Sequence, residues 1–322
     1  MNEQAIMHTS RTVLVTGGAG FIGSHVCEAY RDDGWRVIAL DDLSSGRREN
    51  VADGVEFVEM DIRSDALGAL MKDRRVDLVN HHAAQIDVRI SVARPRHDAS
   101  INVDGWLNVL QSAHEAGASR VVYVSSGGVV YGEPERIPTA EAAPKAPISP
   151  YGVSKLAGEH YMFFYRRVHG LEGIALRYSN VYGPRQNPHG EAGVVALFSR
   201  RLLDGENLRI FGDGEQTRDY VYVGDVASAN LAAATLPGAE PASIDDVAFN
   251  VATGSETSVV TLADALISIS GRPAEREFAP ARPGELERSC LDVTKLEAAG
   301  WSPAVDLAEG LRRTYEYIAE NS

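Results

Sequence analysis

"VLVTGGAGFIG", residues 13–23, decides the fold. An apolar, β-branched run ends at Gly17, and Gly20 and Gly23 open an amphipathic stretch, "IGSHVCEAYRDDG". Strand, glycine turn and helix in that order make a cradle for a pyrophosphate. The glycines allow a tight turn and close approach of backbone to the anion, and the helix N-terminus offers unpaired N–H groups and partial positive charge. A glycine turn can also serve packing alone. The second strand, "RVIALDD", tips the balance, because it ends at Asp41, eighteen positions past Gly23. That is near the spacing at which a carboxylate accepts the hydroxyls of an adenosine ribose. A carboxylate there repels a 2′-phosphate, so NAD is expected over NADP. Asp42 is placed to share the role, and Arg47 and Arg48 are the local counter-argument.

The alternation continues through "VEFVEMDI", "VDLVNHHAA", "RVVYVSS" and "GIALRYSNVYG", with "INVDGWLNVLQSAHEAGA" as a glycine-ended helix among them. This predicts an α/β fold, a doubly wound parallel sheet of the Rossmann kind with helices on both faces. Ligands gather beyond the carboxyl ends of such strands. Asp61 and Ile62 end the third strand, where a side chain can reach adenine. Ala83, Ala84 and Gln85 end the fourth, where small residues let a cofactor lie against the backbone. From about residue 181, Gly- and polar-rich loops flank a helix at "VVALFSRRLLDG", and "FNVAT" reads as a strand returning to the first sheet. The expected division is an NAD-binding domain over 1–180 and a smaller, interleaved substrate region over 181–322, with about 225–275 returning to the sheet.

The chain has 322 residues, 44% hydrophobic and 24% charged, with a formal net charge of −14 and no basic block. That argues against a surface for nucleic-acid phosphates. No stretch approaches the roughly 18 apolar residues of a membrane span, and "MNEQAIMHTS" lacks the pattern of a secretory signal. Two cysteines, Cys27 and Cys290, fit free thiols in a reducing cytoplasm. His81 and His82 have no companion ligands at metal spacing, so no metal is expected.

"SPYGVSKLAGEHY", residues 149–161, sets Tyr151 and Lys155 four positions apart, on one ridge of a helix. Alone, such a pair can be a packed ring beside a snorkelling lysine.

With these pieces in order, the sequence resembles the extended short-chain dehydrogenase/reductase family over nearly its full length. Within it, the sequence is similar to the UDP-glucose 4-epimerases that carry "NVYGPRQ" (180–186), "GEAGVV" (190–195) and "RDYVYVGDV" (218–226). The resemblance implies that Tyr151 is the catalytic acid/base and Lys155 its partner and the holder of the nicotinamide ribose. It implies that a hydroxyl after the fifth strand, Ser125 or Ser126, bridges the sugar O4 and Tyr151. Many relatives carry that hydroxyl one place later, at Gly127, which favours Ser126 by adjacency. Phe21 and Ile22 join the glycines around NAD, Asn102 holds the cofactor ribose and nearby main chain, and Ser179 lies by the nicotinamide. Asn180, Val194, Arg218, Arg282 and Glu285 fall to the nucleotide-sugar, and Ser289 stands where relatives with a bulky tyrosine exclude N-acetyl sugars. The implied reaction is C4 epimerisation of a UDP-sugar through a 4-keto intermediate, in a homodimer joined through helices around 97–117 and 151–169. Alternatives within the fold are a UDP-uronate 4-epimerase and a nucleotide-sugar dehydratase or decarboxylase. Dehydratases keep an Asp-Glu pair where this chain has Gly127 and Gly128. A non-catalytic NAD-sensing protein is the alternative of another class; such proteins tend to lose the Tyr or Lys, and this chain has both.

Overall fold

The structure, a computed structural model, describes residues 11–188, 193–237, 240–281 and 286–321. Seven parallel strands form its central sheet: β1 (Thr12–Thr16), β2 (Arg36–Asp41), β3 (Glu56–Glu59), β4 (Leu78–His81), β5 (Arg120–Ser126), β6 (Glu172–Tyr178) and β7 (Ala248–Val251), in the order β7-β6-β5-β4-β1-β2-β3. β1 pairs β2 on one side and β4 on the other. The winding therefore reverses between β1 and β4, and a crevice opens beyond their carboxyl ends.

Both faces of the sheet are covered, which is why its strands read as unbroken apolar runs. Leu14, Ile38, Leu40, Val79 and Val121 bury one face under α2 (Leu67–Arg74), α3 (Trp106–Ala116) and α4 (Pro150–His169). Val13, Val15, Val37 and Ala39 bury the other under α1 (Phe21–Asp32) and the helix Val223–Ala233. The remaining layer packs Phe198, Leu202, Leu262, Leu266, Leu311 and Tyr315 together, from the helices Val194–Asp204, Val259–Ser270 and Leu307–Glu320. No described helix is long and apolar enough to cross a membrane.

"FNVAT" adds β7 to the sheet beside β6. Two local expectations differ from the structure. "GIALRYSNVYG" splits at Ser179: its N–H donates to Val251, while that of Asn180 donates to Asp219, so Asn180–Tyr182 pairs with Tyr220–Tyr222 away from the main sheet. The helix leading into α3 contains a π turn over Ser100–Gly105. Its buried Asn102 is tied to Gln85, and a Cβ on Gly105 would stand 2.6 Å from Ile62 Cδ1. Such single-turn π segments are frequent at functional sites.

Candidate active site

The glycine loop forms the floor of the crevice. Gly17 takes φ +67°, a conformation open to glycine, and its carbonyl accepts from Gly20 N–H at 3.0 Å. A Cβ on Gly17 would stand 2.8 Å from Ala83 N, and one on Gly23 only 2.1 Å from the Gly17 oxygen, so α1 seats directly on the turn. Gly20 is the N-cap of α1. Among the described residues no side chain caps that end, and Phe21, Ile22 and Gly23 in its first turn bring no acid.

Asp41 is buried, its Oδ2 accepting from Ala19 N–H at 3.1 Å and its Oδ1 from Leu43 N–H at 2.9 Å. Burial raises its pKa, and those backbone donors pull it back. Asp42 is exposed and commits Oδ1 to Ser44, so Asp41 is the carboxylate built into the loop. Arg48 lies over the Phe57 ring at 4.4 Å. Asp61 is gripped by its neighbour Arg63, whose hydrogen bond holds the carboxyl below its usual range. Ile62 is core, and its carbonyl accepts from Asn108 at 2.7 Å.

At the end of β4, Ala83 N–H donates to Thr16 Oγ1 at 3.2 Å, and Ala84 is partly buried beside it. Asn102 clamps the main chain of Gln85 in both directions, each bond 2.9 Å. His81 is stacked on Trp106 and shares a hydrogen bond with Thr16. His82 is held neutral: burial, then the Lys155 charge, pushes it down to about 3. Its Nε2 and the Ser179 Oγ are buried without a hydrogen-bond partner among the described residues.

α4 begins where its sequence says it should. Ser149 caps it by accepting from Gly152 N–H at 3.1 Å, and Pro150 occupies the first turn. Tyr151 and Lys155 thereby stand one turn apart facing β5. The Lys155 ammonium, 3% exposed, donates to the Val124 carbonyl at 2.9 Å and lies 5.7 Å from the centre of the Tyr151 ring. Burial pushes Lys155 down to about 8 against the opposing charges of Asp98 and Glu159. Burial, and then Asp98, holds the Tyr151 phenol above the ordinary tyrosine range.

The two serines that end β5 separate, because successive strand residues point to opposite faces. Ser125 is buried and donates to Glu159 Oε1 at 2.5 Å, so its hydroxyl is committed beneath the sheet. Ser126 is partly exposed at the strand end and does not cap the short helix that follows.

On the sugar side, Asn180 is exposed and Val194 opens its helix partly buried. Arg218 stands in register with the buried Ser289 in a small three-stranded sheet. Asp219, fully buried, pins these loops by accepting from Thr253 N–H at 2.9 Å and Gly254 N–H at 3.0 Å. Arg282 and Glu285 lie outside the described residues.

Sequence reasoning missed a buried polar scaffold. Glu159 and Arg177, both fully buried, pair at 2.6 Å under Ser125. Asp98, also fully buried, accepts from Ser154 at 2.6 Å. The serine inside "YGVSK" was the available signal, since a polar residue next to the reactive lysine on a helix needs a partner.

These residues fit a dinucleotide. The uncapped, acid-free end of α1 suits a diphosphate, Asp41 suits a ribose without a 2′-phosphate, and His82 Nε2 and Ser179 Oγ are buried polar atoms left without a protein partner among the described residues, as a polar ligand would require.

Residues 13–252 match the NAD dependent epimerase/dehydratase family. The chain is 47% identical over 315 residues to a UDP-glucose 4-epimerase of Mycolicibacterium smegmatis, covering 96% of this chain and 99% of the relative. Among solved structures it is similar to the UDP-glucose 4-epimerase of Thermotoga maritima with UDP-glucose, at TM-score 0.92 and 44% identity, covering 96% of this chain and 99% of that one. It is also similar to the UDP-glucose 4-epimerase of Thermus thermophilus in complex with NAD, at TM-score 0.88 and 43% identity, covering 95% and 98%.

Proposed function

Since the chain belongs to the NAD dependent epimerase/dehydratase family, we propose that its crevice inverts C4 of UDP-glucose and UDP-galactose with NAD as resident cofactor. The observation that carries this reading is the Tyr151–Lys155 pair on the first turns of α4, set into the same crevice as the uncapped glycine–helix cradle.

When bound, NAD supplies the redox chemistry, removal and return of the C4 hydrogen through a 4-keto sugar. The chain's residues supply position and charge. Gly17, Gly20, Phe21, Ile22 and Gly23 would hold the diphosphate, Asp41 the adenosine ribose, and Lys155, Ser179 and the Asn102–Gln85 clamp the nicotinamide end. Tyr151 carries the proton, accepting it from O4 and giving it back after the sugar turns. A phenol with ordinary pKa near 10 needs about 4 kcal/mol to act as a phenolate near neutral pH, and burial and Asp98 add to that for Tyr151. The Lys155 ammonium supplies that field in a dry cleft, and bound NAD⁺ would add to it. Ser126 bridges O4 and Tyr151. Arg218, with the guanidinium of Arg282, suits a grip on the sugar diphosphate, and Glu285 the uridine ribose. Ser289 is small, which leaves room for an N-acetyl group.

Dehydration needs acids beside Ser126. This chain has Gly127 and Gly128 there, which bring none, and a Cβ on Gly127 would stand 2.4 Å from Leu291 Cδ1, so a side chain at that position needs Leu291 to move.

The same reading takes 1–180 as the NAD-binding part, 181–322 as the substrate-binding part, and a homodimer as the working unit. Val153, Tyr161, Phe164 and Val168, 39–62% exposed, form an apolar stripe along α4. A heptad-like stripe of this kind favours pairing with a second copy, to be read by light scattering. The free thiols of Cys27 and Cys290 support a cytoplasmic site.

The test is incubation of the NAD-loaded protein with UDP-glucose, UDP-galactose, their N-acetyl forms and UDP-glucuronate. Interconversion of the first pair supports the reading. Turnover of UDP-glucuronate alone, release of water or carbon dioxide, or no conversion by NAD-loaded protein, each overturns it.

A further inference from the structure

Asp98 is a fully buried carboxylate that the reaction just described does not use. Its Oδ1 accepts from Gln85 Nε2 at 3.1 Å and Asn102 Nδ2 at 3.0 Å, and its Oδ2 accepts from Ser154 Oγ at 2.6 Å. The three donors come from three parts of the site: the end of β4, the π turn, and the residue before Lys155 on α4. All three are neutral. Glu159, the other carboxylate that acts on Lys155, is already matched by the buried Arg177 guanidinium. Asp98 forms no ion pair with an arginine among the described residues, so its charge is left to balance the Lys155 ammonium. A buried charge without such a balance is costly, and a matched one in low dielectric acts strongly on its neighbours.

We propose, resting on the epimerase reading above, that Asp98 is a positioning residue for epimerisation. Through Ser154, Asn102 and Gln85 it locks the catalytic helix to the segment beneath the cofactor ribose, and its charge offsets that of Lys155 inside the closed site.

The groups around the pair leave Asp98 as the net counter-charge. Lys155 faces Tyr151 and the neutralised Glu159 on its own helix, Asp98 from the short helix Pro95–Ala99, His81 at the end of β4 and His82 just past it, and Tyr123 from β5. Burial keeps both histidines neutral and the Tyr123 phenol protonated. The Asp98 charge raises the proton affinity of Tyr151 and of Lys155 together. It therefore places both limbs of a pH–rate profile on the alkaline side of where they would otherwise fall.

The test is Asp98→Asn in the NAD-loaded protein. The amide keeps a carbonyl for Gln85 and Asn102 and turns its NH₂ toward the Ser154 hydroxyl, so shape persists while charge goes. Two readouts are taken: the kcat–pH profile with UDP-galactose, and the substrate-free tyrosinate absorbance of Tyr151, isolated as the difference from the matching Tyr151→Phe protein. Both should move to lower pH by about one unit, a tenfold change at fixed pH on the acid limb. A uniform loss of kcat with neither moved overturns the proposal. The tyrosinate titration needs no turnover, so a shift there in a protein that converts no sugar upholds Asp98 and sinks the epimerase reading. If Asp98→Asn does not fold, Ser154→Ala decides. It keeps the charge and breaks one tie, and kcat should fall several-fold with KM and both limbs unchanged. Wild-type kcat in that variant overturns the positioning role.

Discussion

Lys155→Met asks what the fold gives up to keep an ammonium in the crevice. Lys155 is 3% exposed, and burial brings it from the ordinary 10.5 to about 8. At roughly 1.4 kcal/mol per pH unit, that difference is about 3 kcal/mol of destabilisation at pH 7. The sign follows from linkage. The folded value lies below the unfolded one, so the unfolded chain holds the extra proton between about 8 and 10.5. The cost is therefore full below about pH 8 and relieved as pH rises toward 10.5. Methionine keeps the unbranched shape and removes the charge. It also removes the ammonium's hydrogen bond to the Val124 carbonyl, which returns about 1–3 kcal/mol at every pH. Urea unfolding of the NAD-free proteins at pH 7 and pH 10 isolates the charge, because the Val124 contribution is common to both. Between those values wild type should gain about 2 kcal/mol on Lys155→Met. A gap independent of pH would refute the reasoning, since it would mean that the ammonium keeps its ordinary pKa in the fold and bears no net burial cost.

Tyr151→Phe should lower kcat by about 10³ while NAD stays bound, as expected for loss of a general acid/base; cofactor retention is read by absorbance after gel filtration. Gly23→Ala places a methyl against the Gly17 carbonyl and should cost on the order of 2 kcal/mol and weaken NAD retention, seen as a lowered Tm that added NAD does not restore. Glu159→Gln removes the fully buried carboxylate from Arg177 and leaves its guanidinium to the partly exposed Asp245 at 2.9 Å, which should cost about 3 kcal/mol in urea unfolding. Ser289→Tyr should lose the N-acetyl pair and keep UDP-glucose and UDP-galactose, measured as separate kcat/KM values; equal losses on both pairs contradict the assignment.

The parallel sheet and the cofactor cradle were legible because they rest on local signals. Apolar runs fix the strands, Gly17, Gly20 and Gly23 fix the turn, and Ser149 with Pro150 fixes the start of α4 and so the turn that carries Tyr151. What was not legible depends on burial. Nothing in "RPRHDASIN" says that its aspartate is sealed from water, and that fact comes from the packing of three distant segments. Ser125 and Ser126 look alike in sequence and differ by which face of β5 each leaves, a choice set by Glu159 on a helix more than thirty residues away. The break at Ser179 is likewise decided by partners, Val251 on one side and Asp219 on the other, and strand propensity alone is blind to it.

UDP-galactose deuterated at C4, turned over in ordinary water by the NAD-loaded protein, tests the central claim most directly. Removal and return of one hydrogen within the site predicts UDP-glucose with the deuterium still at C4. Product that has exchanged its label with solvent, or carries it elsewhere on the ring, contradicts the account.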